Sequence, residues 1–491
     1  MNLHRDILRL AVPSILANIT VPLVGMVDIA VAGHLGASGG LTAAALIGGI
    51  SIGTMLFDML YWNFGFLRGG TGGLTAQAYG RYHTGEEDAA TDIALTLKRA
   101  LGIAIISGLA LVALQWVVVQ IAFLLVKCSP EVQTLATQYF YIRIWAAPAT
   151  LSLFAFKGWF IGMQDTVRPM ICDLLVNFTN ILLSIGLAFG YAGLPALGFA
   201  GVAWGTLLAQ WTGFTYAAIA VWRRYGRFFR SDAAARDGEQ NKAESFPVEC
   251  SSTAAGTKTP QNVPAGRLVK NTRGWRAFFV LNRDLFLRSM CMIAVYIGFT
   301  MISARYGDMM LAVGTILMKL LMIFSYFTDG FAYAGEALTG RFIGEGSHEG
   351  VQSTIRETFL WSFGVTGLFF LVYGVGGVPL LRLMTSDPDV VDSARAFIPW
   401  LLLMPVIGCP AFTWDGIFTG ATASKDLRNS TAWCVVGFFG VWFAGIGLAR
   451  AFLDPVPETL AIHILMAAYF THLAIRALYL TVRWRKAIPN A

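Results

Sequence analysis

The sequence predicts an all-α polytopic membrane protein, with twelve transmembrane helices in two six-helix, pseudo-symmetric lobes around a central cavity. Three observations carry this expectation. Of 491 residues, 56% are hydrophobic and only 13% are charged, about half the charge of an ordinary soluble domain. Apolar segments of about 20 residues, enough to cross ~30 Å of hydrocarbon, recur along the whole length. A polar stretch in mid-chain divides these segments six and six, and motifs on one side of it return on the other.

The segments run near 8–34, 41–66, 101–126, 135–161, 169–191, 195–222, 285–304, 309–340, 357–381, 396–420, 429–451 and 459–482. Short alternating segments, the mark of a β-barrel, do not occur. The first segment reads as a span and not as a cleaved leader, since it is long and contains Pro13, Pro22 and Asp28. With the N-terminus inside, 28 of the 36 Lys and Arg fall in cytoplasmic segments and 6 outside. That bias places both termini in the cytoplasm and makes the net charge of +7 a topology signal. A nucleic-acid partner is therefore not expected.

Residues 231–272, which include SDAAARDGEQNKAESFPVECSSTAAG, hold few large apolar side chains and read as a flexible cytoplasmic linker. It separates an N-terminal lobe, 1–230, from a C-terminal lobe, 273–491. FAFKGWFIGMQDTVRP at 154–169 and FTWDGIFTGATASKDLR at 412–428 share Gly158/Gly416, Phe160/Phe418 and Gly162/Gly420 at an offset of 258. TAQAYGRYHTGE at 75–86 and EALTGRFIGEGS at 336–347 share Gly80/Gly340 and Arg81/Arg341 at an offset of 260. Two repeats of six spans that both enter from the cytoplasm are parallel repeats about an axis along the membrane normal, the build of an alternating-access carrier.

Charges inside the spans point to function, because a carboxylate there costs several kcal/mol unless it is wet or paired. They are Asp28, Asp58, Lys157, Asp173, Lys319, Asp329, Glu336 and Asp415. Asp173 and Glu336 lie near cytoplasmic ends, where snorkelling suffices. Lys157 and Asp415 occupy equivalent places in the repeat and are expected to pair or cap facing helices. Asp28 stands alone in VPLVGMVDIAVAGHLG, six residues after Pro22, which removes a backbone hydrogen bond. A carboxyl that alternates between wet and dry surroundings can take up and release a proton. Asn177 and Asn180, three apart in VNFTNILLS with Ser184 a turn further on, are its expected partners. Asp329, between aromatic residues in FSYFTDGFAYAG, is expected to face the cavity and attract cationic cargo. Met26, Tyr61 and Met322 are candidates to line a site for flat apolar ligands.

Other constellations carry little. GGTGG at 69–73 lacks the GK[ST] ending of a phosphate loop. Cys128, Cys172, Cys250, Cys291, Cys409 and Cys434 show no metal or disulfide spacing, and the six histidines show no ligand spacing. No metal site, cofactor or enzymatic constellation is predicted. A channel or receptor fits the duplicated halves less well than a carrier does.

The runs RDILRLAVPSILANITVPLVGMVDIAVAGHLG, FDMLYWNFGFLRGGTGGLTAQAYG, FSYFTDGFAYAGEALTGRFIGEG and WDGIFTGATASKDLRNS resemble the multidrug and toxic compound extrusion (MATE) family, DinF-like branch. The resemblance covers the whole chain except the linker. It implies antiport of organic cations or other amphipathic compounds against H⁺ or Na⁺, with Asp28 at the family's first-helix proton-coupling position. Some prokaryotic members carry a second acid four residues after the fifth-helix asparagine, where this chain has Ser184. Sodium-coupled members have a seventh-helix glutamate, whereas 285–304 holds no acidic residue, which favours H⁺. The expectation is a monomeric, proton-coupled drug or metabolite antiporter of the bacterial inner membrane, in contact with membrane lipids. The alternatives are a Na⁺-coupled drug antiporter and a lipid-linked oligosaccharide flippase. Flippases usually show a cationic cavity, and the mid-membrane charges here read as mostly acidic.

Because residues 231–272 have the composition of a tether, a shorter Gly/Ser linker that still spans the gap should preserve transport. Normal membrane insertion with lost transport would show a specific role for this segment.

Overall fold

The computed structural model describes residues 3–35, 42–125, 128–243, 275–384, 388–453 and 455–488. Among them the chain is helical throughout. The N-terminal lobe comprises α1 (Leu3–His34), α2 (Ala43–Trp62), α3 (Phe66–His83), α4 (Ala89–Ala113), α5 (Gln115–Leu125), α6 (Pro130–Arg143), α7 (Ala147–Gly162), α8 (Val167–Phe189) and α9 (Phe199–Ala243). The C-terminal lobe comprises α10 (Trp275–Ala304), α11 (Gly307–Glu345), α12 (His348–Met384), α13 (Pro388–Arg395), α14 (Ile398–Gly420), α15 (Ser424–Phe452) and α16 (Glu458–Ala487). Eleven stretches are long and apolar enough to cross a membrane. The charge-free part of α9, 199–222, gives the twelfth span; its Gln, Thr and Trp residues make it less hydropathic than the others.

Two spans are broken where the sequence suggests a continuous run. Between α2 and α3 the Asn63 side chain donates to the Met59 carbonyl at 2.6 Å, and a 3₁₀ turn, Asn63–Gly65, redirects the chain. A second such turn, Ile144–Ala146, joins α6 to α7 just before Pro148. α9 is 45 residues long, about 68 Å at 1.5 Å per residue, and so extends well past the hydrocarbon. Its last turns occupy 231–243, the first part of the predicted linker; residues 244–272 of that linker lie outside the described residues.

Each lobe has its own apolar core towards the outer end. One gathers Leu46, Phe57, Tyr139, Phe140 and Phe199, the other Phe299, Phe324, Tyr373, Phe397 and Phe438. At the inner end, which the Lys/Arg bias assigns to the cytoplasm, a shared core joins Ile7, Leu10, Ala11 and Ile161 of one lobe to Leu338, Phe342 and Ile417 of the other.

Backbone contact there depends on glycine. A Cβ on Gly80 would stand 2.0 Å from the Arg341 carbonyl oxygen, and one on Gly344 would stand 2.1 Å from that of Gln77. These two contacts are reciprocal, as a two-fold relation between repeats requires. They also correct the register read from sequence. Gly80 pairs with Gly344 at an offset of 264, four residues from the Gly80/Gly340 match, because both glycines lie on one helix face and the sequence match chose the wrong turn. Within the lobes, Gly158 packs on the Arg68 carbonyl and Gly416 on that of Ala332, each Cβ again at 2.0 Å. These contacts keep the 264 offset between α3 and α11 and the 258 offset between α7 and α14. Gln164 (φ +60°) and Thr422 (φ +55°), the non-glycine residues described in the left-handed region, are also 258 apart. Both touch the opposite lobe: Gln164 donates to the Ala337 carbonyl at 2.7 Å, and Gln77 donates to the Thr422 hydroxyl at 3.2 Å.

Gly158→Ala should lower the thermal midpoint of the purified protein, a loss of about 1–3 kcal/mol for overpacking against backbone. Gly102 of α4 has nothing within 4 Å of its Cβ position. Gly102→Ala should be neutral or stabilising by up to about 1 kcal/mol through helix propensity. Equal melting of the two variants would refute this packing account.

Candidate transport site: a lobe carboxylate and a cavity between lobes

Asp28 is 6% exposed inside the N-terminal lobe, and its Oδ1 has no hydrogen-bond partner among the described residues. The groups that act on it are the Ser184 hydroxyl of α8 and the charge of Arg143 of α6. The predicted asparagine partners are engaged elsewhere. Asn177 donates to the Thr20 hydroxyl at 2.7 Å and Asn180 to the Thr206 hydroxyl at 2.9 Å. The reason is helix direction: α1 and α8 enter from the same side and run alongside, so seven residues from Asn177 to Ser184 match eight from Thr20 to Asp28. Asn180 falls between these levels and faces α9. Pro22 lies within the continuous helix of α1.

Arg143, which the charge census counts outside, stands at the end of α6 in the middle of the fourth span. It lies over the Phe57 ring at 4.7 Å and donates to the Tyr139 hydroxyl at 3.0 Å. Asp58 and Lys319 are exposed although mid-span, and their charges act on each other across the two lobes. The two therefore lie near each other on facing parts of α2 and α11.

Deeper in, a cavity of about 480 Å³ is lined from both lobes. Tyr61, Met322, Asp329, Lys157 and Asp415 line it; Asp28 does not. Met26, expected there, is 66% exposed and outside the lining, because it lies on a different face of α1 from Ser14 and Asn18, which do line it. The expectation of mostly acidic charge is also corrected. Asp173, Asp329, Glu336 and Asp415 are matched in the wall by Arg68, Lys157, Arg288 and Arg476.

Most of these charges are paired. Arg68 donates to Glu336 across the lobes at 3.0 Å and stacks on Tyr333 at 4.4 Å. Glu336 therefore does not snorkel: it is fully buried and held by an internal guanidinium. Lys157 pairs with Asp173. Asp415 accepts from Arg288 and from Arg476, whose Nε lies 3.1 Å from Oδ1. Lys157 and Asp415 thus hold equivalent places in the repeat with opposite charges and separate partners. Asp329 makes no ion pair or hydrogen bond that the structure shows among the described residues, but the charges of Arg68, Arg288 and Arg476 act on it. No group of three His, Cys, Asp or Glu among the described residues could hold a metal ion.

Sequence reasoning left Arg68, Arg143, Arg288 and Arg476 out of the intramembrane charges, counting Arg68 and Arg288 in cytoplasmic segments, Arg143 on the outer side and Arg476 at the end of the last span. A signal was present for two of them. Arg476 follows a charge-free run from Thr459 and precedes ALYLTV, and Arg288 precedes a charge-free run to Ala304.

Comparison with known proteins follows from this geometry. The MatE family model matches residues 13–185 and 285–441. DNA damage-inducible protein F of Escherichia coli (strain K12) is 30% identical over 98% of this chain and 92% of its own length. The probable multidrug resistance protein NorM of Thermotoga maritima is 23% identical over 91% of this chain and 85% of its own. The Vibrio cholerae MATE transporter VcmN in its bent form shares the fold with a TM-score of 0.75 at 15% identity, covering 99% of this chain and 97% of that one. A MOP superfamily transporter from Pyrococcus furiosus, described by the reverse polarity of its binding pocket, gives a TM-score of 0.71 at 16% identity with the same coverage. Twelve membrane-spanning helices in two lobes around a shared cavity define a multi-pass transporter. The chain belongs to the MATE family of multidrug and toxic compound efflux transporters.

The Arg68–Glu336 pair yields a stability test. Glu336→Gln strands a guanidinium that is 27% exposed, so the loss should fall below the about 3–5 kcal/mol of a fully buried pair. Arg68→Met with Glu336→Leu should melt higher than either Arg68→Met or Glu336→Leu alone. Additive losses in the double variant would show that the two charges are not coupled.

Proposed function

We propose that this protein is a proton-coupled antiporter of the bacterial inner membrane that exports organic cations or other amphipathic drugs and metabolites by alternating access. Both termini are cytoplasmic in this reading, and the lobes, joined at the inner end, stand in an outward-facing arrangement. The observation that carries it is Asp28, a buried carboxyl with an unpartnered oxygen, held inside one lobe and apart from the cavity. Separation of carboxyl from cargo site makes coupling conformational. Protonation removes a charge between α1, α6 and α8, their packing changes, and the cavity wall formed by α1 moves with it.

Sodium coupling is less well supported. A Na⁺ site needs free oxygen ligands, and Asp415, the tenth-span carboxylate, already accepts from two arginines. The flippase alternative loses its original objection, since basic residues do line the cavity. It is disfavoured on size instead: about 480 Å³ suits a drug-sized ligand, not an oligosaccharide diphosphate. A monomer suffices, because both lobes come from one chain.

Dye efflux from proteoliposomes under imposed pH or Na⁺ gradients tests the proposal. A pH gradient should drive exchange in the wild type and a Na⁺ gradient should not. Asp28→Asn should insert and fold normally yet lose pH-driven exchange, while Asp28→Glu should keep part of it. Efflux at the wild-type rate in the Asn variant would make Asp28 a structural carboxyl.

A further inference from the structure

The cavity charges balance in number but not in arrangement. Arg68–Glu336 and Lys157–Asp173 each neutralise locally. Asp415 serves two arginines at once, so the Arg288–Asp415–Arg476 group keeps one positive charge in excess. The compensating negative charge is Asp329, which lines the same cavity without a pairing partner among the described residues. The two are near enough for their charges to act on each other but do not join. Within the triad the arginines differ: the Arg476 side chain is 1% exposed and that of Arg288 is 21% exposed. Arg476 is the buried anchor, and Arg288 is the one that can reach a ligand.

A charge and its counter-charge that line one cavity without joining form a pair of half-sites. Tyr61, Trp62, Met292, Met318, Met322 and Phe412 supply the wall. We propose that the cavity selects zwitterionic amphipaths, whose cationic group lies against Asp329 and whose carboxylate or other anionic group lies against Arg288. A purely cationic ligand would satisfy Asp329 and leave the excess guanidinium charge without a partner. A ligand with both groups completes both, and charge-assisted hydrogen bonds of guanidinium to carboxylate are the stronger kind. This deepens the transport reading and rests on the cavity being its cargo site.

The test compares a rhodamine bearing a free benzoate with its methyl ester, two flat dyes that differ in one anionic group. Affinities for the detergent-purified full chain are read by fluorescence anisotropy. The wild type should bind the free acid about tenfold more tightly than the ester. Arg288→Met should abolish the preference, so that acid and ester bind alike, whereas Arg288→Lys should keep most of it. Asp329→Asn should weaken both dyes. The proposal is overturned if the wild type binds the ester as tightly as the acid, if it binds neither, or if Arg288→Met retains the preference. The wild-type comparison needs no variant to fold. Selective binding with efflux indifferent to pH would sink proton coupling and spare this inference; pH-driven efflux without selectivity would do the reverse.

Discussion

Backbone-to-backbone packing at the inner end is the constraint on which this structure depends. Where Gly80 and Gly344 lie against opposing carbonyls, two lobes that are otherwise separate bundles come as close as helices can. Lipid offers no hydrophobic force to hold apolar helices together, so association in a membrane relies on small residues and close packing. Larger side chains at these positions would hold the lobes apart. The cavity therefore begins where the glycine faces end, and its floor is formed by Arg68 and Glu336 directly above them.

Charge placement follows from that floor. Ionisable side chains at depth are accommodated in different ways. Lys157 is paired across helices with Asp173, Arg143 donates to the Tyr139 hydroxyl, and the charges of Asp58 and Lys319 act on each other between the lobes. Asp28, sealed within one lobe, and Asp329, at the cavity, make no ion pair among the described residues. Incomplete charges are costly in a low-dielectric interior, and this cost sets Asp28 and Asp329 apart from the paired groups.

The duplication supplied a symmetric frame that chemistry then broke. Gly158 and Gly416, Gly162 and Gly420, and the left-handed Gln164 and Thr422 keep their places in both repeats because backbone geometry demands it. Lys157 and Asp415, one residue before the matched glycines, have opposite charges. The N-terminal lobe consequently neutralises a lysine with one carboxylate, while the C-terminal lobe surrounds a carboxylate with two arginines. A transporter with unlike lobes can assign the coupling ion to one and cargo recognition to the space between.

The sequence by itself determined the class of fold, the span count, the repeat and the identity of Asp28 as an exceptional residue. Hydropathy, Lys/Arg bias and the cost of a lone carboxylate are all properties of local composition. The tertiary structure decided what each polar group meets. Asn177 and Ser184 lie along one face of α8, yet only the level at which α1 lies against α8 gives Asn177 to Thr20 and Ser184 to Asp28, while Asn180 turns to Thr206 of α9. The repeat offset of 264 was hidden because one helical turn brings Gly340 and Gly344 to the same face. Arg68, Arg288 and Arg476 lie close enough to span ends to read as charges at the membrane edge. Folding turned them inward, because long cationic side chains reach several ångströms from their backbone and buried carboxylates stood within that reach.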